Sequence, residues 1–575
     1  MRITILHWKW WITFSLLFLK SIYVVICSYD FSSSINNFKT LMLFPIYWIP
    51  FILLILSFAV LLDGIFQEKY LHYLNIIASL IFIADLIYFR AFESVIGFNV
   101  LFQTQNIYGL GQSIVSLVEL QDFILIADIP AIYLIDSRIN KIKYEKNIKT
   151  FAMVFIVSIC ISLKTVNTNE FQANKENQLL FLSPLGCHML EINNSFRNKL
   201  VELSTDGANS IIKWYEEKKL ADTKETSIKE YAGILENKNI VVIQFESLEN
   251  GLINYQFEGQ EITPTMNKLL KNSLYFNNVY EQVKDGNSSD AEFMFNTSIY
   301  PLEKGSAFVR YPNNYYNSLP IELRNNGYYS VAIHGDDEKF WNRDKAFPSL
   351  GFNNYIHEDI FEEKEYIGMG LSDRVLFDES LKHIKDMEKQ DKRYYMHIIT
   401  LTSHMPFNIP ENEKLLKIRD EYKSTEIINY LQTVRYTDDL LDKFINKMQK
   451  EGILDDAAII IYGDHEGAHK YYSEECRGIL PENDKRIPFI IYNPTLKGDT
   501  FDKIGGQIDL FPTIAYLMGI KEENMMGQNL LTEGEGYAIL SSGKIIGEPD
   551  SNDHLLESQD IANKIIHSNY FKNNN

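Results

Sequence analysis

Cysteine is scarce in this 575-residue chain, which contains only Cys27, Cys160, Cys187 and Cys476. The first two lie inside long apolar runs, and no Cys-x-x-Cys pair occurs. Neither a cysteine metal site nor a disulfide framework is therefore available. A chain of this length has to be held together by its own hydrophobic core, which its size allows.

An excess of basic residues is also absent, because the formal net charge is -20. Proteins that bind nucleic acid need a basic face, so a nucleic-acid partner is not expected. Neither a Walker loop nor a Rossmann fingerprint is present, and the sequence therefore predicts no nucleotide partner. The first 163 residues carry 11 Lys+Arg against 10 Asp+Glu, which places the acidity in the later part of the chain.

Long apolar runs dominate the first 163 residues. A membrane-spanning helix needs about 20 predominantly apolar residues. Five segments approach this description, at 5–26, 41–62, 71–89, 118–135 and 148–163, although Asp128 interrupts the fourth and the fifth is short. The sequence predicts an N-terminal α-helical membrane domain of about five spans, residues 1–163. A cleaved signal peptide is the alternative for the first span, but no small-residue cleavage pattern follows it.

Basic residues between the spans predict the orientation, because cytoplasmic loops hold an excess of Lys and Arg. Residues 138–149 contain five basic side chains, and Arg2 and Lys69 agree with an N-terminus inside the cell. Everything after residue 163 is then outside. We expect a connector at 164–238 with a helix at 194–220, either a plain spacer or an arm along the bilayer or the globular domain. A catalytic domain at 239–545 and a C-terminal tail at 546–575 follow.

Four apolar, β-prone runs in the later part each end in polar side chains. Glu246 follows 240–245, His334 and Asp336 follow 328–333, His404 follows 395–399, and Asp464 with His465 follows 458–462. Such runs are typical of parallel strands buried on both faces, and ligands bind beyond the carboxyl ends of those strands. Residues 424–450 show helical spacing, with Gly452 placed to end the helix. The sequence predicts an α/β domain with a mainly parallel central sheet.

Glu246, Asp464 and His465 supply two carboxylates and one imidazole, which suit a divalent cation. Gly286 to Met294 predicts a glycine turn that enters a helix, with Ser288 and Ser289 at its start. A hydroxyl at a helix N-terminus meets unpaired N–H groups, which favours binding and attack on a phosphate or sulfate. Taken alone, the same residues are explained as a helix cap.

The motifs together resemble the lipoteichoic acid synthase family, polyglycerol-phosphate transferases with the alkaline phosphatase and sulfatase fold. The resemblance covers about 239–543 and rests on Phe245-Glu246-Ser247, Gly286-Asn287-Ser288-Ser289-Asp290-Ala291-Glu292-Phe293, Gly305-Ser306-Ala307-Phe308, His334-Gly335-Asp336, Phe340-Trp341-Asn342-Arg343-Asp344, Leu401-Thr402-Ser403-His404, Pro406-Phe407 and Tyr462-Gly463-Asp464-His465. It implies a sulfatase-like catalytic domain outside a bacterial cell membrane, on a multi-pass anchor.

The resemblance also implies roles for individual residues. Glu246, Asp464 and His465, together with the nucleophile oxygen, would bind one divalent metal ion, Mn²⁺ or else Mg²⁺, although the donor set also accepts zinc. The family nucleophile is usually threonine, and Ser288 stands at that position, with Ser289 as the other hydroxyl. The remaining implied residues would surround glycerol phosphate, with His404 or His334 as a proton donor: His334, Asp336, Trp341, Arg343 and His404.

The implied reaction moves glycerol phosphate from phosphatidylglycerol through a covalent Ser288 ester to a glycolipid primer or a polyglycerol-phosphate chain. Starting chains, extending them and decorating another polysaccharide are all compatible with the sequence. Alternatives are a phosphoethanolamine transferase or a sulfatase or phosphodiesterase of the same fold, and a catalytically silent membrane scaffold. The Cys/Ser-x-Pro-x-Arg motif of sulfatases is missing at Ser288, which disfavours sulfatase chemistry.

Overall fold

A computed structural model describes residues 8–29, 44–92, 94–97, 100, 111–136, 146–168, 178–201, 205–222, 227–422, 425–482, 484–521, 524–548 and 553–573. The chain divides into two compact units. The helical unit comprises residues 1–98 and 114–198, and the sheet unit comprises residues 99–113 and 199–575.

Within its described residues, the helical unit contains three helices that are long and apolar enough to cross a membrane: Trp8–Ser28, Gly64–Phe92 and Ile148–Val166. They correspond to the first, third and fifth predicted spans. The second predicted span is a shorter apolar helix, Pro45–Leu61. Further α-helices in this part of the chain are Gly111–Ser116, Asp128–Asp136 and Gln178–Val201.

The predicted span at 118–135 is not a single helix. It consists of a 3-10 helix, Leu120–Ile126, and the start of the short helix Asp128–Asp136. Asp122 binds Arg90 at 2.7 Å, and Asp128 binds Lys20 at 2.8 Å. Asp122 is buried and Asp128 is partly exposed, and each has the cationic partner that a carboxylate needs in an apolar setting. The prediction of five spans is therefore not confirmed.

A nine-stranded sheet forms the centre of the sheet unit. The strands are β1 Asn239–Phe245, β2 Ser273–Tyr280, β3 Tyr329–His334, β4 Asn354–Ile356, β5 Tyr394–Ile399, β6 Ala457–Gly463, β7 Arg486–Tyr492, β8 Asp499–Phe501 and β9 Gly505–Gly506. Their spatial order is β8-β2-β7-β6-β1-β5-β3-β4, and β9 pairs with β2. Among these nine strands, β7 alone runs antiparallel to the others. The predicted α/β domain with a mainly parallel sheet is thus confirmed.

Strand register brings the predicted polar residues to one edge of the sheet. Phe245 at the end of β1 pairs with Gly463 at the end of β6, so Glu246 and Asp464 follow neighbouring strands. On the other side of β1, Gln244 pairs with Ile399 of β5, which in turn pairs with His334 of β3. β1, β5 and β6 are buried along their whole length, which explains their continuous apolar sequences.

The sheet unit also contains α-helices throughout its sequence. The predicted helix at 424–450 is present as Glu426–Lys450, begun by the Thr425 side chain, which accepts the N–H of Ile428. The other α-helices are Thr205–Asp222, Pro264–Leu269, Ser288–Thr297, Ala307–Arg310, Leu319–Asn325, Arg343–Ser349, Asp373–Lys389, Ala468–Tyr472, Leu510–Leu517, Asp553–Ser568 and Tyr570–Asn573. Short hairpins pair Gln256–Phe257 with Gln260–Glu261, Tyr366–Ile367 with Gly370–Leu371, and Tyr537–Ile539 with Ile545–Gly547.

Segments that precede and follow the predicted catalytic domain belong to its core. The helix predicted at 194–220 corresponds to two helices, which end at Val201 and begin at Thr205, and residues 202–204 lie outside the described residues. Trp214 is buried in the same hydrophobic cluster as Ile561 and Ile565 of the C-terminal helix. The chain from 546 onward, predicted as a tail, therefore contributes a packed helix.

Candidate active site

Glu246, Asp464 and His465 form a buried cluster at the carboxyl edge of β1 and β6. Their ligand atoms all lie within 4.8 Å of one another. Nε2 of His465 is 3.5 Å from Oε1 of Glu246 and 3.4 Å from Oδ2 of Asp464. Gly463 fits this turn because a Cβ there would meet the Leu248 carbonyl oxygen at 2.1 Å. The sequence-predicted metal ligands are thus brought together.

The electrostatics of this cluster favour a cation. Burial and then the neighbouring Asp464 carboxylate raise the pKa of Glu246 well above its ordinary value. Asp464 Oδ1 accepts the N–H of Ser247 at 2.7 Å, whereas its buried Oδ2 has no hydrogen-bond partner among the described residues. Two buried carboxylates facing one imidazole nitrogen repel each other unless a positive charge lies between them. The residues present therefore fit a divalent metal ion.

Three histidines around this edge have the same tautomer. Nδ1 lies 2.9 Å from the Ile399 carbonyl in His334, 2.7 Å from the Met405 carbonyl in His404, and 2.7 Å from the Glu466 carbonyl in His465. A carbonyl oxygen only accepts, so each Nδ1 carries the proton and each Nε2 has a lone pair. For His465 this is the tautomer that a metal ligand requires.

Burial keeps these imidazoles neutral. It lowers the pKa of His465 to about 4, and burial with the Arg343 guanidinium holds the pKa of His334 well below its usual range. Burial also lowers the pKa of His404, although the Met405 carbonyl and the Asp464 carboxylate act in the opposite direction. Near pH 7 the three rings are acceptors at Nε2 rather than imidazolium acids.

Ser288 places its hydroxyl at the cluster from the start of the Ser288–Thr297 helix. Its Oγ lies 3.3 Å from Oε2 of Glu246 and 3.3 Å from Nε2 of His465. The preceding Asn287 has φ of +45°, and its side-chain nitrogen Nδ2 lies 2.8 Å from Nε2 of His465. The N–H groups that follow this hydroxyl are already used in the turn: Ser289 donates to the Gly286 carbonyl, and Asp290 and Ala291 donate to the Asn287 carbonyl.

Ser289 points elsewhere. Its Oγ donates to the Gly286 carbonyl at 2.6 Å and lies 2.8 Å from the Ser306 hydroxyl. The turn is closed by Asp290, which accepts the N–H groups of Lys284 and Gly286, both at 3.0 Å. A Cβ on Gly286 would meet the Asp290 carboxylate at 2.0 Å, so this turn requires glycine. Ser288, not Ser289, is the hydroxyl at the cluster.

Arg343 lies fully buried beside His334 and Asp336, but most of its guanidinium is already paired. Nη2 donates to Oε1 of Glu292 at 2.6 Å, and Nε donates to Oε2 of Glu292 at 3.0 Å. Burial raises the pKa of Asp336 to about 6, and the Arg343 guanidinium acts against this increase. Nε and Nη2 are therefore not available as a fork for a phosphate, because both donate to Glu292.

Trp341 differs most from expectation among the predicted site residues. It is 6% exposed, has φ of +57°, and packs edge-on against Phe340 with ring centroids 5.8 Å apart. Both rings belong to the main hydrophobic cluster of the sheet unit. Trp341 thus packs in the hydrophobic core, whereas the resemblance implied that it would help to surround glycerol phosphate.

Two buried carboxylates at this edge were missed by sequence reasoning. Glu292 pairs with Arg343, 51 positions away, and Asp373 accepts the N–H of Leu401 at 2.8 Å, ahead of His404. Both follow unremarkable local patterns on helices. For Glu292, its place within the serine motif is the one available signal.

Two family models match the chain: Sulfatase at residues 238–520 and Lipoteichoic acid synthase N-terminal domain at residues 2–183. Lipoteichoic acid synthase 1 of Bacillus subtilis is 30% identical over 471 residues, which cover 78% of this chain and 73% of that protein. Lipoteichoic acid synthase-like YvgJ of the same organism is 27% identical and covers 96% of this chain and 92% of its own length.

A solved structure agrees with these matches. The lipoteichoic acid synthase LtaP from Listeria monocytogenes superposes with a TM-score of 0.55 at 27% identity, over 62% of this chain and 98% of that one. The motifs that carried the resemblance lie in the region that the Sulfatase model matches. The chain belongs to the lipoteichoic acid synthase family of the alkaline phosphatase and sulfatase superfamily.

Proposed function

We propose that this chain is a membrane-anchored, metal-dependent phosphoglycerol transferase that takes glycerol phosphate from phosphatidylglycerol and passes it to a lipoteichoic-acid-type chain or a glycolipid primer. Family membership supports a phosphotransferase. The observation that carries the proposal is the convergence of the Ser288 hydroxyl with Glu246 and His465, 3.3 Å from each. The relatives are named lipoteichoic acid synthases, which supports a product of the lipoteichoic acid type.

Glu246, Asp464, His465 and the Ser288 oxygen would hold one divalent ion, with Mn²⁺ the first choice and Mg²⁺ the second. When bound, such an ion lowers the pKa of a hydroxyl and neutralises charge on a phosphate. Two metal-ligand atoms favour this assignment. Oδ2 of Asp464 has no hydrogen-bond partner among the described residues, and Nε2 of His465 carries a lone pair.

In the first displacement, the Ser288 oxygen forms a bond to phosphorus and the bond from phosphorus to the diacylglycerol oxygen breaks. Ser288 gives its proton to Nε2 of a neutral histidine, and the same proton passes to the diacylglycerol oxygen, which leaves as the alcohol. In the second displacement, an acceptor hydroxyl forms a bond to phosphorus and Ser288 leaves with its oxygen.

His404 and His334 have acceptor nitrogens toward the site, which supports a base role. A neutral Nε2 accepts the proton of the incoming acceptor hydroxyl in the second displacement. In each displacement the leaving oxygen takes its proton from a ring that has just accepted one, because burial keeps the resting rings neutral near pH 7. Of the two, His404 is our choice for the base, and Asp336 and Arg343 orient the glycerol phosphate.

The helical unit supports a multi-pass anchor, with the sheet unit outside the cell. Basic residues at 138–149 favour the inner face, and the helix Ile148–Val166 follows them toward the outside. This orientation supports a membrane lipid as the substrate. The predicted boundaries at residues 163, 238 and 545 remain part of the proposal.

The test uses the full-length chain in detergent with Mn²⁺ and phosphatidylglycerol labelled on an acyl chain. We expect fluorescent diacylglycerol from the wild type and from Ser289→Ala, and none from Ser288→Ala. A glycerol-phosphate adduct on the Ser288 peptide, detected by mass spectrometry, would identify the covalent intermediate. If the folded, Mn²⁺-bound wild type releases diacylglycerol only from phosphatidylethanolamine, or from no lipid, another head group or the silent scaffold is the better account.

A further inference from the structure

The ion pair between Glu292 and Arg343 links the serine helix to the opposite wall of the site. Glu292 follows Ser288 by four residues, one helical turn, and its side chain is completely buried. Arg343 begins the Arg343–Ser349 helix, beyond β3, and its side chain is 2% exposed. Two of the guanidinium nitrogens, Nη2 and Nε, donate to the two carboxylate oxygens at 2.6 and 3.0 Å.

The third guanidinium nitrogen of Arg343, Nη1, takes no part in this ion pair. Nη1 is buried and makes no hydrogen bond within the described part of the chain, and the same holds for Oδ2 of Asp336. A buried cationic donor without an acceptor is costly, and native proteins retain such groups where a ligand completes them. An anionic oxygen is the acceptor that Nη1 lacks, and a hydroxyl is the donor that Oδ2 lacks. A glycerol phosphate offers both.

We infer that Glu292 is a positioning residue, which fixes Arg343 so that Nη1 meets a phosphoryl oxygen of the glycerol phosphate while Ser288 attacks its phosphorus. This inference rests on the proposed function and adds a residue to it. Because Glu292 and Ser288 share one helix, the attacking oxygen and the phosphate-binding nitrogen are held at a fixed separation. Arg343 therefore binds the phosphate through one nitrogen, and Glu292 sets which one.

A double-mutant cycle separates this role from simple packing. The variants Glu292→Gln, Arg343→Gln and the two combined are compared with the wild type as full-length, Mn²⁺-loaded chains. If Glu292 acts through Arg343, Glu292→Gln lowers kcat/KM by about tenfold or more, and the combined variant is no worse than Arg343→Gln. Glu292→Asp, which retains the charge with a shorter reach, recovers part of the loss.

Asp438 provides the matched control. It is a buried carboxylate on the Glu426–Lys450 helix, and it accepts the N–H groups of Thr265 and Met266 at 2.8 and 3.1 Å. Asp438→Asn is expected to leave kcat/KM unchanged, whatever it does to the unfolding temperature. The inference is overturned if Glu292→Gln keeps kcat/KM within about twofold of the wild type, or if the two losses multiply in the combined variant.

The proposed function is tested separately by the substrate. If the wild type does not turn over phosphatidylglycerol, the same cycle is read by calorimetric binding of sn-glycerol 1-phosphate and of inorganic phosphate to the Mn²⁺-loaded chains. Affinity that falls equally in Glu292→Gln, Arg343→Gln and their combination still supports the positioning role. Unchanged affinity in Glu292→Gln contradicts it. If Glu292→Gln does not fold, Glu292→Asp with Arg343→Lys completes the cycle.

Discussion

Asp373 holds the segment that leads to His404: its Oδ1 accepts the N–H of Leu401 at 2.8 Å, and its backbone N–H donates to the Thr402 hydroxyl at 3.0 Å. Asp373 is itself completely buried at the start of the Asp373–Lys389 helix, where Thr437 donates to its Oδ2 at 2.6 Å. One carboxylate thus connects two helices to the chain that follows β5.

This connection predicts that Asp373→Ala loosens the His404 segment. We expect a loss of about 1–3 kcal/mol of stability for each N–H left without an acceptor, and kcat lower by about tenfold because His404 is less well placed. Thr437→Val is the control, since it removes one bond to Asp373 and leaves Leu401 paired. Equal kcat in the two variants would contradict a positioning role for Asp373.

The two serines make opposite predictions. Ser288→Ala removes the hydroxyl at the cluster, and diacylglycerol release should fall by about a thousandfold or more. Ser289→Ala removes hydrogen bonds to Gly286 and Ser306, and should cost about 1 kcal/mol of stability while activity remains. Thermal unfolding and lipid turnover measured on the same samples distinguish the two. Loss of turnover in Ser289→Ala alone would reassign the nucleophile.

The cluster of Glu246, Asp464 and His465 predicts that adding Mn²⁺ reverses the order of stability of the wild type and Glu246→Gln. In the metal-free protein, the buried Glu246 must either repel the Asp464 carboxylate or take up a proton, and Glu246→Gln avoids both costs, so its unfolding temperature should rise above that of the wild type. With Mn²⁺ at about a hundred times its Kd, the wild type should gain about 2.7 kcal/mol, and the variant should gain much less. Differential scanning calorimetry with and without Mn²⁺ measures both. A metal-free variant less stable than the wild type would argue against the repulsion.

The C-terminal helix predicts a stability effect far from the chemistry. Ile565 is completely buried, so Ile565→Ala should cost about 2–5 kcal/mol through the cavity that it leaves. Leu556, on the same helix, is 72% exposed, and Leu556→Ala should change stability by less than about 0.5 kcal/mol. Urea unfolding of both variants tests whether residues after 545 belong to the folded unit.

The sequence predicted the structure best where a single strand or helix has one clear hydrophobic pattern. All four apolar runs that were predicted as strands are strands, and their polar ends meet because parallel strands end at one edge. The helix at Glu426–Lys450 was also predictable, because its apolar spacing, its Thr425 cap and Gly452 agree. Propensity and tertiary packing favour the same structure at these positions.

Side-chain pairings between residues far apart in the sequence could not be predicted from it. Nothing in the local pattern of Glu292 indicates a partner 51 residues later, and this pairing changes what Arg343 has left to bind. The segment at 118–135 has enough apolar residues for a span, yet it forms two short helices, and its Asp122 and Asp128 bind Arg90 and Lys20. Hydropathy counts residues and does not identify the partners of their charges.

The three Nδ1 contacts have a consequence for how this family member can evolve. The carbonyls of Ile399, Met405 and Glu466 are main-chain groups, so no side-chain replacement removes them. Proton placement on His334, His404 and His465 is therefore inherited with the path of the backbone. Substitutions around the rim can change the pKa of the rings through charge and burial, while the ring nitrogen that carries the proton stays the same.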